Sequence, residues 1–147
     1  MQKKGMVWVI GASGGLGRAA AQAFAQNGWS VIAGARSFAE GTSPLGEGVT
    51  VLPLDVTSEE SCAAFVKKAL SRENRVDVLV CAAAQLVLGS CENTTVDELD
   101  RLLNVNVLGT VRMVQRALPL MRRQKGGKMI LFSSINGLLG IPFQSAY

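Results

Sequence analysis

The stretch Ile10-Gly11-Ala12-Ser13-Gly14-Gly15-Leu16-Gly17 puts four glycines into eight positions, directly behind the apolar run Met6–Ile10. Glycines permit a tight turn and let a backbone come close to a phosphate. A helix that starts at such a turn offers an anion its free N–H groups and the positive end of its dipole. The ligand that suits this strand–turn–helix junction is the pyrophosphate of a dinucleotide. A mononucleotide P-loop is excluded, because no glycine is followed at the required spacing by Gly-Lys-Ser or Gly-Lys-Thr.

A second choice of chemistry falls about 20 residues past the turn, where dinucleotide-binding chains select between NAD and NADP. There the chain reads Ala33-Gly34-Ala35-Arg36-Ser37, with no carboxylate. An Asp or Glu would accept from the ribose 2′-hydroxyl and repel a 2′-phosphate, whereas a guanidinium offers that phosphate a fork of donors. Arg36, with hydroxyls from Ser13 and Ser37, therefore predicts NADP(H) as the cofactor.

These residues need a scaffold of alternating strands and helices, and the apolar patterning supplies one. The run Met6–Ile10, a helix over 15–27 and a strand over 29–34 make a β-α-β unit, with Gly28 as the left-handed residue that ends the helix. After a turn-rich stretch over 41–48 come a strand at 49–54, a helix at 58–70 whose start carries Ser58, Glu60 and Ser61, and a strand at 76–80. Residues 95–123 read as one long or broken helix with Pro119 near its end, and Gly126-Gly127 leads into a last strand at 128–133. The predicted fold class is α/β: one Rossmann-type, doubly wound parallel sheet of about five strands, helices on both faces, with no second domain in residues 1–147. The apolar last strand, Met129-Ile130-Leu131-Phe132, is expected to leave an open edge guarded only by Lys128, which favours pairing with another copy.

Composition narrows the class of function. The 147 residues are 48% apolar and 18% charged, as in a globular enzyme domain. No apolar stretch approaches the ~20 residues a bilayer needs, so no membrane span is expected. Met1-Gln2-Lys3-Lys4 imitates the start of a signal peptide, but the apolar run behind it is too short, and a cytoplasmic location is the expectation. Three cysteines, Cys62, Cys81 and Cys91, form no C-x-x-C pair and no histidine accompanies them, so neither disulfides nor a metal site is expected. The net charge of +4 gathers partly in Arg112, Arg116, Arg122, Arg123, Lys125 and Lys128. Without interleaved aromatics these read as a solvated helix face rather than a nucleic-acid surface.

The G-x-x-x-G-x-G spacing of Gly11, Gly15 and Gly17 resembles that of the short-chain dehydrogenase/reductase family, and further landmarks follow in order. Asp55-Val56 resembles the family's adenine-contacting pair, and Asn106-Val107-Leu108-Gly109 its N-x-x-G motif. Ser134 and Tyr147, thirteen residues apart, match the spacing of its serine and tyrosine. The resemblance implies hydride transfer between a nicotinamide and a ketone or secondary alcohol. Reducing a carbonyl in this way leaves an alkoxide that needs a proton and a second hydrogen-bond donor. Tyr147 is implied as the proton donor or acceptor, Ser134 as the group that orients the substrate oxygen, and Asn106 as the residue that holds a helix kink and a water. Gly11, Ser13, Gly14, Gly15, Leu16, Gly17, Arg36, Ser37, Asp55, Val56, Cys81, Ala82 and Ala83 are the implied cofactor-binding residues.

The segments 111–113 and 137–143 are similar to hydroxysteroid and retinol dehydrogenases of the family, which implies a small apolar ketone or alcohol as substrate. Apolar Leu138, Leu139, Ile141 and Phe143 suit a pocket for such a molecule and equally suit a core. Two departures stand out. Cys81-Ala82-Ala83-Ala84 occupies the place of the family's Asn-Asn-Ala-Gly and lacks its side-chain amides. The family's lysine, one helical turn beyond the tyrosine, would fall after Tyr147, so the chain is expected to lack the C-terminal strands and substrate-binding segment of its relatives and, by itself, to be a poor enzyme. The reading of another class is a non-catalytic nucleotide-binding or interaction module.

Overall fold

The computed structural model describes residues 4–39 and 43–147. Met1 to Lys3, in the basic start, and Glu40 to Thr42, where the turn-rich stretch opens, lie outside the described residues. Five strands, β1 (Met6–Ile10), β2 (Ser30–Ala35), β3 (Val49–Pro53), β4 (Val78–Cys81) and β5 (Lys128–Leu131), form one parallel sheet in the order β3-β2-β1-β4-β5. The chain winds outward from β1 to β3, returns to the other side of β1 and winds outward again. The switch between β1 and β4 opens a crevice at the carboxyl ends of the strands, where α/β sheets of this kind bind ligands.

Alternation along β1 divides the core. Met6, Trp8 and Ile10 face a cluster with Phe65 of α2 (Glu59–Arg72) and Met113 and Ala117 of α4 (Gly109–Arg123). Val7 and Val9 face Ala21 of α1 (Gly15–Gln26). Each face of the sheet thus carries helices, as the alternating pattern predicts. Among the described residues, no helix is long and apolar enough to cross a membrane.

Local chemistry sets where these elements begin and end. Ser58 caps α2 by accepting from the Ser61 N–H at 3.1 Å, with Glu59 and Glu60 complementing the helix dipole. Gly28, at φ 82°, takes the left-handed conformation that ends α1. Trp29 stays with the helix instead of opening β2: its N–H donates to the Phe24 carbonyl at 3.1 Å and its ring meets that of Phe24 edge-on. Val76 is held out of β4 because the Gln124 side chain bonds both its N–H and its carbonyl, each at 2.9 Å. The long helix is broken. Thr95 and Glu98 form a capping box for α3 (Val96–Leu103), and a π-helical turn over Asn104–Leu108 separates α3 from α4.

Arg112 and Arg116 are not a free basic face, since both pair with Glu59. Strand β5 lies at the edge of the sheet, where Ile130, Leu131 and Phe132 are exposed.

Candidate active site and cofactor cleft

The glycine turn is built by two kinds of contact. The N–H groups of Gly11 and Ala12 both donate to the Gly34 carbonyl, at 2.8 and 3.1 Å, which fastens the turn to the end of β2. A Cβ on Gly11 would stand 2.4 Å from the Ala83 nitrogen, and one on Gly17 would stand 2.2 Å from the Gly11 oxygen. These two glycines let backbone pack on backbone. Gly14 and Gly15 do the reverse, for nothing lies within 4 Å of where their Cβ atoms would be. The result is an open cradle before the first turn of α1, which contains no acidic residue. That cradle fits a pyrophosphate, because the helix's first N–H groups have no intrahelical partners. Arg18 braces it, donating from Nε and Nη2 to the Ser13 carbonyl at 3.3 and 2.9 Å.

From the cradle a cleft of about 270 Å³ runs along the strand ends, lined by Gly11, Ser13, Gly14, Ala35, Arg36, Leu54, Asp55, Val56, Ala82, Ala83, Ala84, Gln85 and Val105. Arg36 is exposed at its rim. The Asp55 carboxyl is held below its usual range first by the Thr57 N–H at 2.9 Å and then by the Thr57 hydroxyl at 2.7 Å. Arg36 and Arg112 add attraction, while partial burial opposes it. Other residues expected at the cofactor sit beside the cleft: Gly15 and Leu16 open α1, Gly17 is buried behind the turn, and Ser37 is exposed next to Arg36. Cys81 is different, because its side chain enters the core between Ile10 and Leu131, and burial pushes its thiol up to about 12. Ala35, Leu54, Gln85 and Val105 line the cleft without having been marked by any motif. Only the position of Ala35 and Leu54 at strand ends could have signalled them.

Asn106, Ser134 and Tyr147 come together around an adjoining depression of about 200 Å³, which shares Ala83 and Ala84 with the cleft. Asn106 lies in the π-helical turn and clasps Gln85: its Oδ1 accepts the Gln85 N–H at 2.8 Å and its Nδ2 donates to the Gln85 carbonyl at 2.9 Å. A π turn re-aims a side chain relative to a regular helix, and it often marks a functional position. The Ser134 hydroxyl accepts from the Asn136 N–H at 3.2 Å, so its own proton remains to donate elsewhere. The segment ending at Tyr147 folds onto Gly89, whose N–H donates to the Phe143 carbonyl at 2.8 Å. Phe143 itself is at φ 63°, an uncommon conformation for a bulky residue. Leu138, Leu139, Ile141 and Phe143 are all exposed on this segment.

A crevice at the switch point, joined at one end to a depression with two hydroxyls and an amide, is the arrangement of a Rossmann-type dinucleotide-binding domain. The sequence profile of the short chain dehydrogenase family matches residues 5–147. The chain is 35% identical over 142 residues to the 3-ketodihydrosphingosine reductase of Bacteroides thetaiotaomicron, covering 97% of this chain and 51% of that protein. It is 44% identical over 96 residues to human 17-beta-hydroxysteroid dehydrogenase type 1, covering 65% of this chain and 29% of that protein. A solved short-chain dehydrogenase from Streptomyces avermitilis superposes with a TM-score of 0.86 at 34% identity, over 97% of this chain and 54% of the other. The chain belongs to the short-chain dehydrogenase family, whose members use a nicotinamide dinucleotide on carbonyl and alcohol substrates. It spans about half the length of the reductase and less than a third of the human enzyme.

Proposed function

We propose that the protein is an NADP(H)-dependent oxidoreductase that interconverts a ketone and a secondary alcohol on an apolar, steroid-like or long-chain substrate. The observation that carries the cofactor choice is Arg36 at the rim of the cleft, at the end of a strand that offers no carboxylate. Its guanidinium gives a 2′-phosphate two parallel donors. When bound, the cofactor supplies or takes the hydride. The cradle before α1 would hold its pyrophosphate, and Asp55, Val56 and Val105 would flank its adenine end.

Tyr147 holds the proton that the reduced substrate oxygen needs, or takes it in the reverse direction. Ser134 donates a hydrogen bond to the same oxygen and so stabilises charge that develops there. Asn106 fixes the loop at Gln85 between the depression and the cleft. The exposed apolar side chains of Leu138, Leu139, Ile141 and Phe143 support a water-excluding wall for an apolar substrate. Similarity to a ketodihydrosphingosine reductase and a hydroxysteroid dehydrogenase agrees with that class.

Reduction of a panel of apolar ketones with NADPH tests the proposal. In an enzyme whose chain continues past Tyr147 with the family's lysine, Tyr147→Phe should lower the rate about 10²–10⁴-fold with NADPH affinity unchanged, as for loss of one acid–base participant. A variant that reduces ketones as fast as the parent would remove Tyr147 from the chemistry.

A further inference from the structure

Behind the cleft, and not lining it, lies Arg112 of α4. Its side chain is only 16% exposed, and its donors are shared among three segments. Nε donates to Glu59 Oε1 at 2.8 Å. Nη1 donates to the Val56 carbonyl at 3.1 Å, to Asn104 Oδ1 at 2.8 Å and, more weakly, to the Asn104 carbonyl at 3.4 Å. Glu59 does not depend on Arg112, because Arg116 also pairs with it. What Arg112 joins, and Arg116 does not, is Val56 to Asn104.

Both belong to segments that form the cleft. Val56 lines it directly, and Asn104 precedes Val105, which lines it from the opposite segment. Asn104 also opens the π-helical turn whose Asn106 clasps Gln85. The spacing at this point is tight, since a Cβ on Gly109 would stand 2.6 Å from Val56 Cγ2. A small shift of the Val56 loop is therefore felt by α4 and by the turn before it.

We infer that Arg112 is a positioning residue: its guanidinium sets the separation of Val56 and Val105 in the cleft and, through Asn104, the placement of the turn that carries Asn106. The consequence for nucleotide binding rests on the reading of the cleft as a dinucleotide site. Lysine cannot replace it, because an ammonium on a flexible stem lacks the rigid fork that meets two acceptors at once.

The test compares the parent chain with Arg112→Met and Arg112→Lys by amide hydrogen exchange without ligand and by NADPH titration. The amide of Gln85, which Asn106 accepts, should exchange about tenfold faster in Arg112→Met, while the core amide of Val9 in β1 keeps its parent rate. NADPH affinity should fall about tenfold, with Arg112→Lys closer to Met than to the parent. Unchanged Gln85 exchange overturns the inference, as does an equal acceleration at Gln85 and Val9, which would mean global loosening. Full rescue by lysine would reduce the role to charge alone and overturn it too. If the parent fails to bind NADPH, the dinucleotide reading falls, while Gln85 exchange still decides the hold on the Asn106 turn. Should Arg112→Met not fold, Asn104→Ala removes the Oδ1 acceptor of the same contact and is read by the same rules.

Discussion

Asp55 carries the plainest electrostatic signature in the cleft. The Thr57 N–H and hydroxyl bind its ionised form and lower its pKa, with Arg36 and Arg112 helping and burial opposing. A folded value below the unfolded one contributes stability that is complete above the unfolded pKa, about 3.9. That contribution is lost as the pH falls through the folded value. Asp55→Asn should therefore melt below the parent at neutral pH, and the gap should close as both are taken to about pH 2. A gap that stays constant across that range would mean that the carboxylate's charge contributes nothing. At this scale the sequence spoke unevenly. Arg36 and the glycines announced themselves through residue type and distance from a strand. Cys81 did not, because period-two alternation at the end of β4 turns its side chain into the core while its backbone remains beside the turn.

Among the elements, the strands were legible because each is a short apolar run closed by turn residues, and all five appear within a few residues of their expected positions. The differences arise where a backbone group finds a partner outside the ladder, from the Gln124 side chain at Val76 and from the Phe24 carbonyl at Trp29. The break between α3 and α4 was only half legible. Its hydrophobic pattern continues across the π turn, and Asn106 is bonded to Gln85, 21 residues away in the chain. No local signal encodes such a contact. Gly109, by contrast, was marked as part of a motif, and its reason is now steric: α4 rests on Val56 at that point. Gly109→Ala should destabilise the protein by about 1–3 kcal/mol through overpacking, despite alanine's better helix propensity. Gly126→Ala, where nothing lies within 4 Å, serves as comparison in denaturant unfolding. A Gly109 variant as stable as the parent would show that helix and loop are not in close contact there.

For the whole molecule, one winding pattern explains why these residues meet. Strand order β3-β2-β1-β4-β5 brings the turn after β1, Arg36 after β2, Asp55 after β3, Ala82 to Gln85 after β4 and Ser134 after β5 to the same edge of the sheet. Residues scattered along the chain thus share one crevice without any being adjacent in sequence. We propose that this crevice holds a dinucleotide by its pyrophosphate and selects the phosphorylated form through Arg36. Parallel titrations of the chain with NADPH and NADH test it most directly, with Arg36→Asp alongside. The parent should bind NADPH about tenfold or more tightly than NADH, from charge-assisted hydrogen bonds to the 2′-phosphate, and Arg36→Asp should reverse the order. Equal affinities in the parent, or a preference for NADH that the substitution leaves untouched, would contradict it.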